Sequence, residues 1–297
     1  MTAPAPGPAG PFPLSAAERA GERVGRAAFR ALREELALSP KPGLVTPVDP
    51  GAHRDMDAST FQASLRSLRG YFREVAHAGA RGAPFPELRA LGVRAEARML
   101  AATGGVNTHR GAVFTLGLVA AAAARVEARG AACTPDVLQG ELRARLGAAV
   151  LSGLPPQPGS HGSAVLCRYG VRGARFEAAS GFPHLFGVGL PALQEGLRRG
   201  ASRPEAAVGC LFALVAVLPD TNLLFRGGPD GLAFAQRRAR EFLARGGVER
   251  RDWEAHARQI HREFVARLLS PGGSADLLAA SLFVESLSPS RQGRTPG

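Results

Sequence analysis

Thr103-Gly104-Gly105-Val106-Asn107-Thr108-His109-Arg110-Gly111 is a polar, glycine-rich stretch that runs directly into the almost wholly apolar residues 112–124. Adjacent glycines are unfavourable inside a helix, so Gly104 and Gly105 predict an irregular backbone, and Asn107 or Thr108 is predicted to cap the helix that follows. The free amides and positive dipole end of that helix would face an anion. The stretch therefore predicts either a buried helix that begins at a site or an ordinary capped core helix.

The same pattern occurs twice more. Apolar residues 206–218 lead into the polar residues 219–228, which include Asp220, Asn222 and Arg226. Residues 270–276 precede the apolar stretch 277–284, where Ser274 is a predicted N-cap and Asp276 is predicted to lie in the first turn. Core helices normally have ordinary loops at their ends, so three polar, glycine-bearing ends predict helices that converge on one pocket.

Helical periodicity runs through most of the chain. Three apolar stripes have helical spacing: Val24, Ala28, Leu32 and Leu36; Phe61, Leu65, Leu68, Phe72 and Val75; and Trp253, Ile260, Phe264 and Leu268. Ser15, with Glu18 three residues later, is the predicted cap of the first helix. Further helices are predicted near 86–102, 136–151, 190–199, 204–218, 228–245 and 275–287. No segment shows sustained strand-like alternation. The predicted fold class is all-α, with one helical catalytic domain over 14–287 and disordered tails at 1–13 and 288–297.

Composition narrows the classes of protein. The 297 residues are 45% hydrophobic, which is enough for one substantial core. The first thirteen residues lack the basic and apolar regions of a signal peptide, and the apolar runs are shorter than the roughly 20 residues of a membrane span. The three cysteines are widely spaced and contain no Cys-x-x-Cys pair. We therefore expect a cytoplasmic protein with no membrane segment and no structural zinc.

The net charge of +12 does not by itself indicate nucleic-acid binding. The arginines are scattered beside glutamates, basic runs are absent and few aromatic residues are available for stacking, so no nucleic-acid partner is predicted. Lys41 is the only lysine in the chain. Either this position requires a compact ammonium group, for example to contact a phosphate, or Lys41 is a surface lysine that is present by chance.

Three further segments carry polar side chains. Residues 51–57 contain His53, Arg54 and the Asp55-x-Asp57 pair, whose carboxylates could share a magnesium ion or, for Asp57 alone, cap the next helix. Residues 158–163 and 173–182 add the polar side chains of His161, Arg175 and Glu177 among glycines. These last two segments are either parts of a site or ordinary loops.

Six segments in order resemble the triphosphoribosyl-dephospho-CoA synthase family over about residues 30–287: SPKPGLV (39–45), GAHRDMD (51–57), TGGVNTHRG (103–111), GARFEAASGF (173–182), DTNLLFRGG (220–228) and SPGGSADLLA (270–279). The resemblance implies a helical enzyme that joins ATP to 3'-dephospho-CoA and releases adenine. Its product is the precursor of the prosthetic group of malonate decarboxylase or citrate lyase, which a further transferase attaches to an acyl carrier protein. Ser160-His161-Gly162 is more similar to the malonate decarboxylase branch.

The chain departs from the family pattern at three positions. Arg110 stands where many relatives have lysine, Thr46 where an acid often follows Gly-Leu-Val, and Phe225 where a histidine is common before Arg-Gly-Gly. Phe225 can have no polar role. The proton chemistry is therefore expected at other residues.

The implied reaction assigns a role to each group of residues. His109 or Asp220 is the predicted base for the attacking hydroxyl, and Asn222 or His161 is predicted to hold the departing adenine. Magnesium is predicted on Asp55, Asp57, Asp220 or Asp276. The predicted substrate-binding residues are Lys41, His53, Arg54, Gly104, Gly105, Asn107, Thr108, Arg110, Arg175, Glu177, Arg226, Gly227, Gly228 and Ser274.

Two other classes of protein fit some of these features. A magnesium-dependent helical hydrolase of ADP-ribose or nucleotide bonds would use similar acidic and amide-rich helix ends, with water as the second reactant. A non-catalytic docking protein for the acyl carrier subunit would use the pocket only as a groove. The polar helix ends favour an enzyme over a docking protein.

Overall fold

The computed structural model describes residues 14–152 and 161–288, and within them the regular structure is helical. Twelve α-helices, a π-helical turn (Leu185–Gly189) and a 3-10 turn (Gly247–Glu249) follow one another along the chain. The α-helices are α1 (Ala16–Ala37), α2 (Ala58–Arg81), α3 (Phe85–Ala102), α4 (Arg110–Ala128), α5 (Pro135–Ser152), α6 (His161–Tyr169), α7 (Ala174–Ala179), α8 (Leu190–Arg198), α9 (Arg203–Val217), α10 (Thr221–Ala244), α11 (Trp253–Ala266) and α12 (Gly272–Leu287).

The all-α prediction is confirmed. Among the described residues the only β-type pairing is an isolated bridge between Thr46 and Asp49. The predicted tails, residues 1–13 and 288–297, lie outside the described residues except for Ser288, and so does Ser160 of the 158–163 segment. The domain boundaries at 14 and 287 stay a prediction.

Side chains cap several helices where the sequence indicates it. Ser15 accepts from the Glu18 amide while the Glu18 carboxylate accepts from the Ser15 amide, which is the predicted capping box of α1. Asp57 caps α2 and accepts from the amide and hydroxyl of Thr60. The alternative role of Asp57 as a helix cap is therefore present in the structure.

Two predicted N-caps are wrong. The N-cap of α4 is His109, not Asn107 or Thr108, although the Asn107 side chain still accepts from the Arg110 amide at 3.2 Å. Helix α12 begins two residues before Ser274, after Pro271. Ser274 lies inside the first turn of α12. Its amide donates to the carboxylate of Asp220, the N-cap of α10, which takes the place of an N-cap side chain of α12.

Helix α10 begins earlier than the predicted residue 228 and contains a kink. Gly228 has φ 62° and ψ −165°, a conformation that glycine adopts readily, and Pro229 follows it. The sequence therefore predicted only the second half of α10, the part after the kink. Leu268, predicted in the third apolar stripe, instead lies beyond α11 with φ 55° and is largely exposed.

The core is built around α4, α9 and α12, whose residues are buried along most of their length. Helices α1 and α2 pack against α4, and α12 contacts α1, α4 and α9. Gly79 of α2 lies so close to the Ala121 backbone of α4 that a side chain would overlap it. These close helix contacts hold the N-termini of α4 and α12 in place.

Helix α4 has 19 residues and is long and apolar enough to cross a membrane by length and composition. Helices α9 and α10 pass the same test only as a pair, with a bend of 58°. Most of the apolar window of α4, 72%, is buried inside the protein. This burial is typical of the core helix of a soluble protein.

Candidate active site

The N-termini of α4, α10 and α12 meet, and glycines make the approach possible. Gly111 at the start of α4 lies against the Asp276 carboxylate of α12, with no room for a side chain. A Cβ on Gly272 would lie 2.7 Å from Nδ2 of Asn222, and one on Gly273 would lie 3.2 Å from Oδ2 of Asp220. The glycines of these segments therefore admit polar side chains from the others.

We expect Gly111→Ala to lower the free energy of unfolding by about 1–3 kcal/mol, because the new methyl group displaces the Asp276 carboxylate. Urea denaturation would measure it. Gly140→Ala on α5 is the matched control, since its Cβ meets open space and the change should be neutral or stabilise by about 0.4–1 kcal/mol. Adding Asp276→Ala to Gly111→Ala should restore stability, and a Gly111→Ala protein as stable as the wild type would contradict the contact.

Asp220 joins two of these helix ends. Its Oδ1 accepts from the Asn222 amide at 2.9 Å, and its Oδ2 accepts from the amide and hydroxyl of Ser274 at 2.8 and 3.0 Å. Burial raises the pKa of Asp220, while these hydrogen bonds act in the opposite direction. The carboxylate therefore holds the starts of α10 and α12 together.

Asp276 makes no hydrogen bond or ion pair with any described residue. Burial raises its pKa well above the usual range, and the negative charges of Asp220 and Glu35 raise it further. A cation at this point would relieve the repulsion between the three carboxyl groups. Asp276 is thus the acidic side chain of the site whose oxygens remain available.

Lys41 is buried, with 1% of its surface exposed, and its ammonium is 2.6 Å from the Glu35 carboxylate and 2.9 Å from the Glu35 carbonyl oxygen. It is therefore not the surface lysine of the alternative interpretation. The peptide bond before Pro40 is cis, and Gly43 lies against the backbone of Leu269. Segment 39–45 thus contacts Leu269, the residue directly before segment 270–279.

His109 is almost fully buried, with 3% of its surface exposed. Its Nδ1 is 2.6 Å from the Ser64 hydroxyl, and the Phe61 ring meets it edge-on at 4.8 Å. Burial lowers the pKa of His109 to about 3, and the positive charge of Lys41 contributes. Its Nε2 is buried without a partner among the described residues.

Arg226 and His53 form a second polar cluster at the site. Nη2 of Arg226 donates to Nδ1 of His53 at 3.0 Å, so the His53 proton is on Nε2, which donates to the Ser270 hydroxyl at 2.9 Å. Arg226 also donates to the carbonyl oxygens of Ala52 and Leu268. Burial and the Arg226 charge lower the pKa of His53 to about 4, so this histidine is neutral at pH 7.

His161, at the start of α6, stacks on Phe225 with ring centroids 3.7 Å apart and an angle of 17° between the rings. Burial lowers the pKa of His161; a hydrogen bond to Asn222 opposes this, while the charges of Arg226 and Arg110 add to it. Arg110 itself pairs with Glu96 of α3. These contacts place His161, at the start of α6, beside segments 103–111 and 220–228.

Other predicted site residues lie at the edges of this arrangement or have structural partners. Glu177 accepts from the His184 amide and pairs with its Nδ1, both at 2.8 Å, and raises the pKa of His184. Burial lowers the pKa of Arg175, and Arg89 lies near enough to add to this. Gly104, Gly105, Asn107, Arg54, Asp55 and Asp57 are exposed, Thr108 and Arg110 are half-buried, and Gly227 and Gly228 lie at the kink of α10.

Of the four predicted magnesium ligands, Asp220 and Asp276 lie close together. Asp55 lies near His53 and Arg226 instead, and Asp57 accepts hydrogen bonds as the N-cap of α2. Within residues 14–152 and 161–288 no three His, Cys, Asp or Glu side chains are arranged to hold a metal ion. A magnesium ion usually binds through one or two carboxylates together with substrate phosphates, and the free Asp276 oxygens suit that mode. The donor set thus fits a substrate-dependent magnesium site, not an all-protein cage.

The sequence reasoning missed Glu35, Ser64, Ser270 and His184. Glu35 follows Leu32 by three residues and Ser64 follows Phe61 by three, so each lies on the apolar face of its helix. A polar residue on such a face requires a buried partner. That signal would have identified both residues.

A surface groove between α1 and α2 is separate from this site. It is lined by Leu14, Glu18, Arg19, Glu22, Arg23, Arg26, Arg73 and His77. Glu22 pairs with Arg73 and His77, and Glu127 pairs with Arg23. The charges of the groove are therefore largely paired within the protein, and no predicted site residue lines it.

Comparison with known proteins supports the family resemblance. The chain matches the family model of ATP:dephospho-CoA triphosphoribosyl transferase over residues 21–295. A probable 2-(5''-triphosphoribosyl)-3'-dephosphocoenzyme-A synthase of Azotobacter vinelandii is 43% identical over 274 residues, or 90% of this chain and 92% of the relative. One from Acinetobacter calcoaceticus is 38% identical over 262 residues, covering 88% and 90%.

The synthase of that name from Pectobacterium atrosepticum is 40% identical over 267 residues, covering 84% of each chain. No solved structure matches this chain significantly. The family match over residues 21–295 spans all six segments. The chain therefore belongs to the ATP:dephospho-CoA triphosphoribosyl transferase family and is an enzyme of the transferase class.

Proposed function

We propose that the protein transfers the 5-triphosphoribosyl group of ATP to the 2'-hydroxyl of 3'-dephospho-CoA and releases adenine, giving 2'-(5''-triphosphoribosyl)-3'-dephospho-CoA. The observation that carries this proposal is the meeting of three helix N-termini beside the buried Asp220 and half-buried Asp276 carboxyl groups, two arginines and the His109 nitrogen that has no described partner. Helix N-termini and arginines attract phosphate groups, and the substrate ATP keeps its triphosphate through the reaction.

The proposed reaction exchanges one bond to C1 of the ATP ribose for another. The C1–N9 bond to adenine breaks, the bond from C1 to the 2'-oxygen of dephospho-CoA forms, and the hydroxyl proton balances the proton that adenine gains. The ribose passes through an oxocarbenium-like state, similar to that of glycoside cleavage. The site must therefore hold a triphosphate, accept one proton and donate another.

Arg226 is the best-placed cation for the triphosphate. Its guanidinium is fixed by two carbonyl oxygens and by His53, so little side-chain freedom is lost on binding. Arg110 lies at the start of α4 and could add a second contact by leaving Glu96. Because Lys41 is paired with Glu35, we propose that it acts on the phosphates through its charge and through the position of Glu35.

His109 is our candidate for the base. With Nδ1–H donating to Ser64, Nε2 carries the lone pair that accepts the hydroxyl proton. A bound triphosphate would raise the pKa of His109 from about 3 towards the physiological range, because an opposite charge favours the imidazolium. Asp220 is the weaker candidate, since amide and hydroxyl donors already occupy both of its oxygens.

Magnesium fits the site through Asp276, with the substrate phosphates as further ligands. When bound, it would supply positive charge that offsets the triphosphate. Asp276, with Asp220 beside it, is favoured over Asp55 and Asp57, because the Asp276 oxygens have no described partner whereas Asp57 is used by α2 and both Asp55 and Asp57 are exposed. Asn222 and His161 remain the candidates for protonating or holding adenine.

We also propose that the product serves malonate decarboxylase in the cytoplasm, and that a second transferase carries it to the acyl carrier subunit. The His161 segment favours this branch over citrate lyase. We propose no nucleic-acid partner and no membrane span, because many of the arginines pair with acidic residues and α4 is a buried core helix.

The test is to mix the purified protein with ATP, 3'-dephospho-CoA and Mg²⁺ and to follow free adenine and product mass by liquid chromatography and mass spectrometry. We expect adenine release that requires both substrates, together with a triphosphoribosyl adduct. Omission of Mg²⁺ should slow the reaction. Products formed from ATP alone would favour the nucleotide hydrolase, and no product from any mixture would favour the docking role.

A further inference from the structure

Phe225 is exposed at a place where the surrounding side chains are polar. Among the residues that the structure describes it is the one aromatic side chain in the set of large exposed apolar residues, with 47% of its surface accessible. It lies five residues after Asp220, in the N-terminal part of α10, and directly before Arg226. An apolar ring kept exposed between site residues suggests contact with a ligand.

One face of Phe225 is covered by a second flat ring. The His161 imidazole lies nearly parallel to it, with the ring centroids 3.7 Å apart and an angle of 17° between the rings. Because 47% of the Phe225 surface is accessible, a third flat ring can contact it.

Positive charge lies beside the stacked pair. Arg226 and Arg110 are both close enough to lower the pKa of His161, and Arg226 is held by the carbonyl oxygens of Ala52 and Leu268. A flat apolar surface next to fixed cations matches a nucleotide, whose base is flat and whose phosphates are anionic.

We propose that the exposed face of Phe225, backed by His161, is a stacking platform for the adenine ring of a substrate. The inference rests on the proposed function and deepens it, because ATP and 3'-dephospho-CoA both carry adenine. It gives Phe225 a binding role that does not depend on a polar group. Stacking requires only a flat ring, so a phenylalanine can serve without any polar group.

The test compares the dissociation constants of ATP and of 3'-dephospho-CoA, measured separately by calorimetry. Phe225→Leu keeps the apolar bulk but removes the ring, and it should raise one of the two constants about 5- to 150-fold. Phe225→Tyr should bind within about threefold of the wild type, because it retains the ring. Val137→Ala, an exposed apolar truncation on α5, is the control that should leave both constants unchanged.

The nucleotide whose binding weakens identifies the adenine that stacks. Inorganic triphosphate has no adenine ring, so its dissociation constant should be the same for Phe225→Leu and the wild type. Binding of both nucleotides within fivefold of the wild type in Phe225→Leu would overturn the platform, as would equal weakening of inorganic triphosphate. Because binding is measured without turnover, absence of product from the wild type would count against the proposed function alone.

Discussion

Replacing His109 with asparagine is expected to lower kcat about 10²–10⁴-fold, the typical contribution of a general base, while the KM for ATP changes little. Asparagine is a favoured N-cap, so the start of α4 should be retained when the imidazole is lost. Steady-state rates of adenine release with both substrates would measure the effect. Thermal unfolding of the same variant would show whether the helix start is intact.

Asp220→Asn is the comparison that separates a base from a helix clamp. An amide at this position turns an acceptor into a donor towards the Ser274 amide, and one unsatisfied buried donor costs about 1–3 kcal/mol. Asp220→Asn should therefore lose thermal stability through the broken contact between α10 and α12, in addition to any loss of rate. A kcat loss below tenfold for both His109→Ala and Asp220→Ala would show that neither residue is the base.

The helices were predictable where the apolar pattern is long. The stripe from Val24 to Leu36 and the run at 112–124 each span several turns, and both correspond to helices. Helices α6 and α7, with nine and six residues, were not predicted because one or two turns carry too little periodicity. The kink at Gly228 was also missed, since residues 221–227 carry polar groups that resemble a loop.

The meeting of the helix ends could be predicted because the signal is local. Glycines beside Asp, Asn and Ser at three helix ends indicated a shared site, and the structure places Gly111, Gly272 and Gly273 against side chains of the other segments. The pairing of these residues could not be predicted. Whether Asp220 caps its own helix, or also binds Ser274 across the site, depends on how α10 packs beside α12.

Partners that come from distant helices explain most of what was missed. Lys41 was correctly singled out as unusual, but its phosphate contact stays a prediction, and the structure gives it the carboxylate of Glu35. His109 was singled out for its motif, yet its Ser64 contact and its shifted pKa depend on the packing of α2 against α4. A single sequence without contacts carries no direct signal for such pairs.

Lys41→Met is expected to lower the free energy of unfolding by about 3–5 kcal/mol, because it leaves the Glu35 carboxylate buried without its cation. Methionine is close to lysine in length and should fill most of the same space, so the lost charge dominates the effect. Urea denaturation followed by circular dichroism would measure the change. Glu35→Gln should also destabilise, since it leaves the Lys41 ammonium buried without a counter-charge.

The double variant Lys41→Met, Glu35→Gln separates the buried charge from simple loss of packing. It removes both charges, so its stability should recover towards the wild type and exceed that of Lys41→Met alone. Arg203→Met on the half-exposed pair with Glu34 and Glu285 is the control, with an expected loss of about 1 kcal/mol or less. Additive losses in the double variant would mean that Lys41 stabilises the protein through contacts other than Glu35. Recovery of stability without recovery of adenine release in the double variant would mean that the Lys41–Glu35 pair acts on the site itself. The reason is that the charge of Lys41 affects the pKa of His109 and the charge of Glu35 affects that of Asp276.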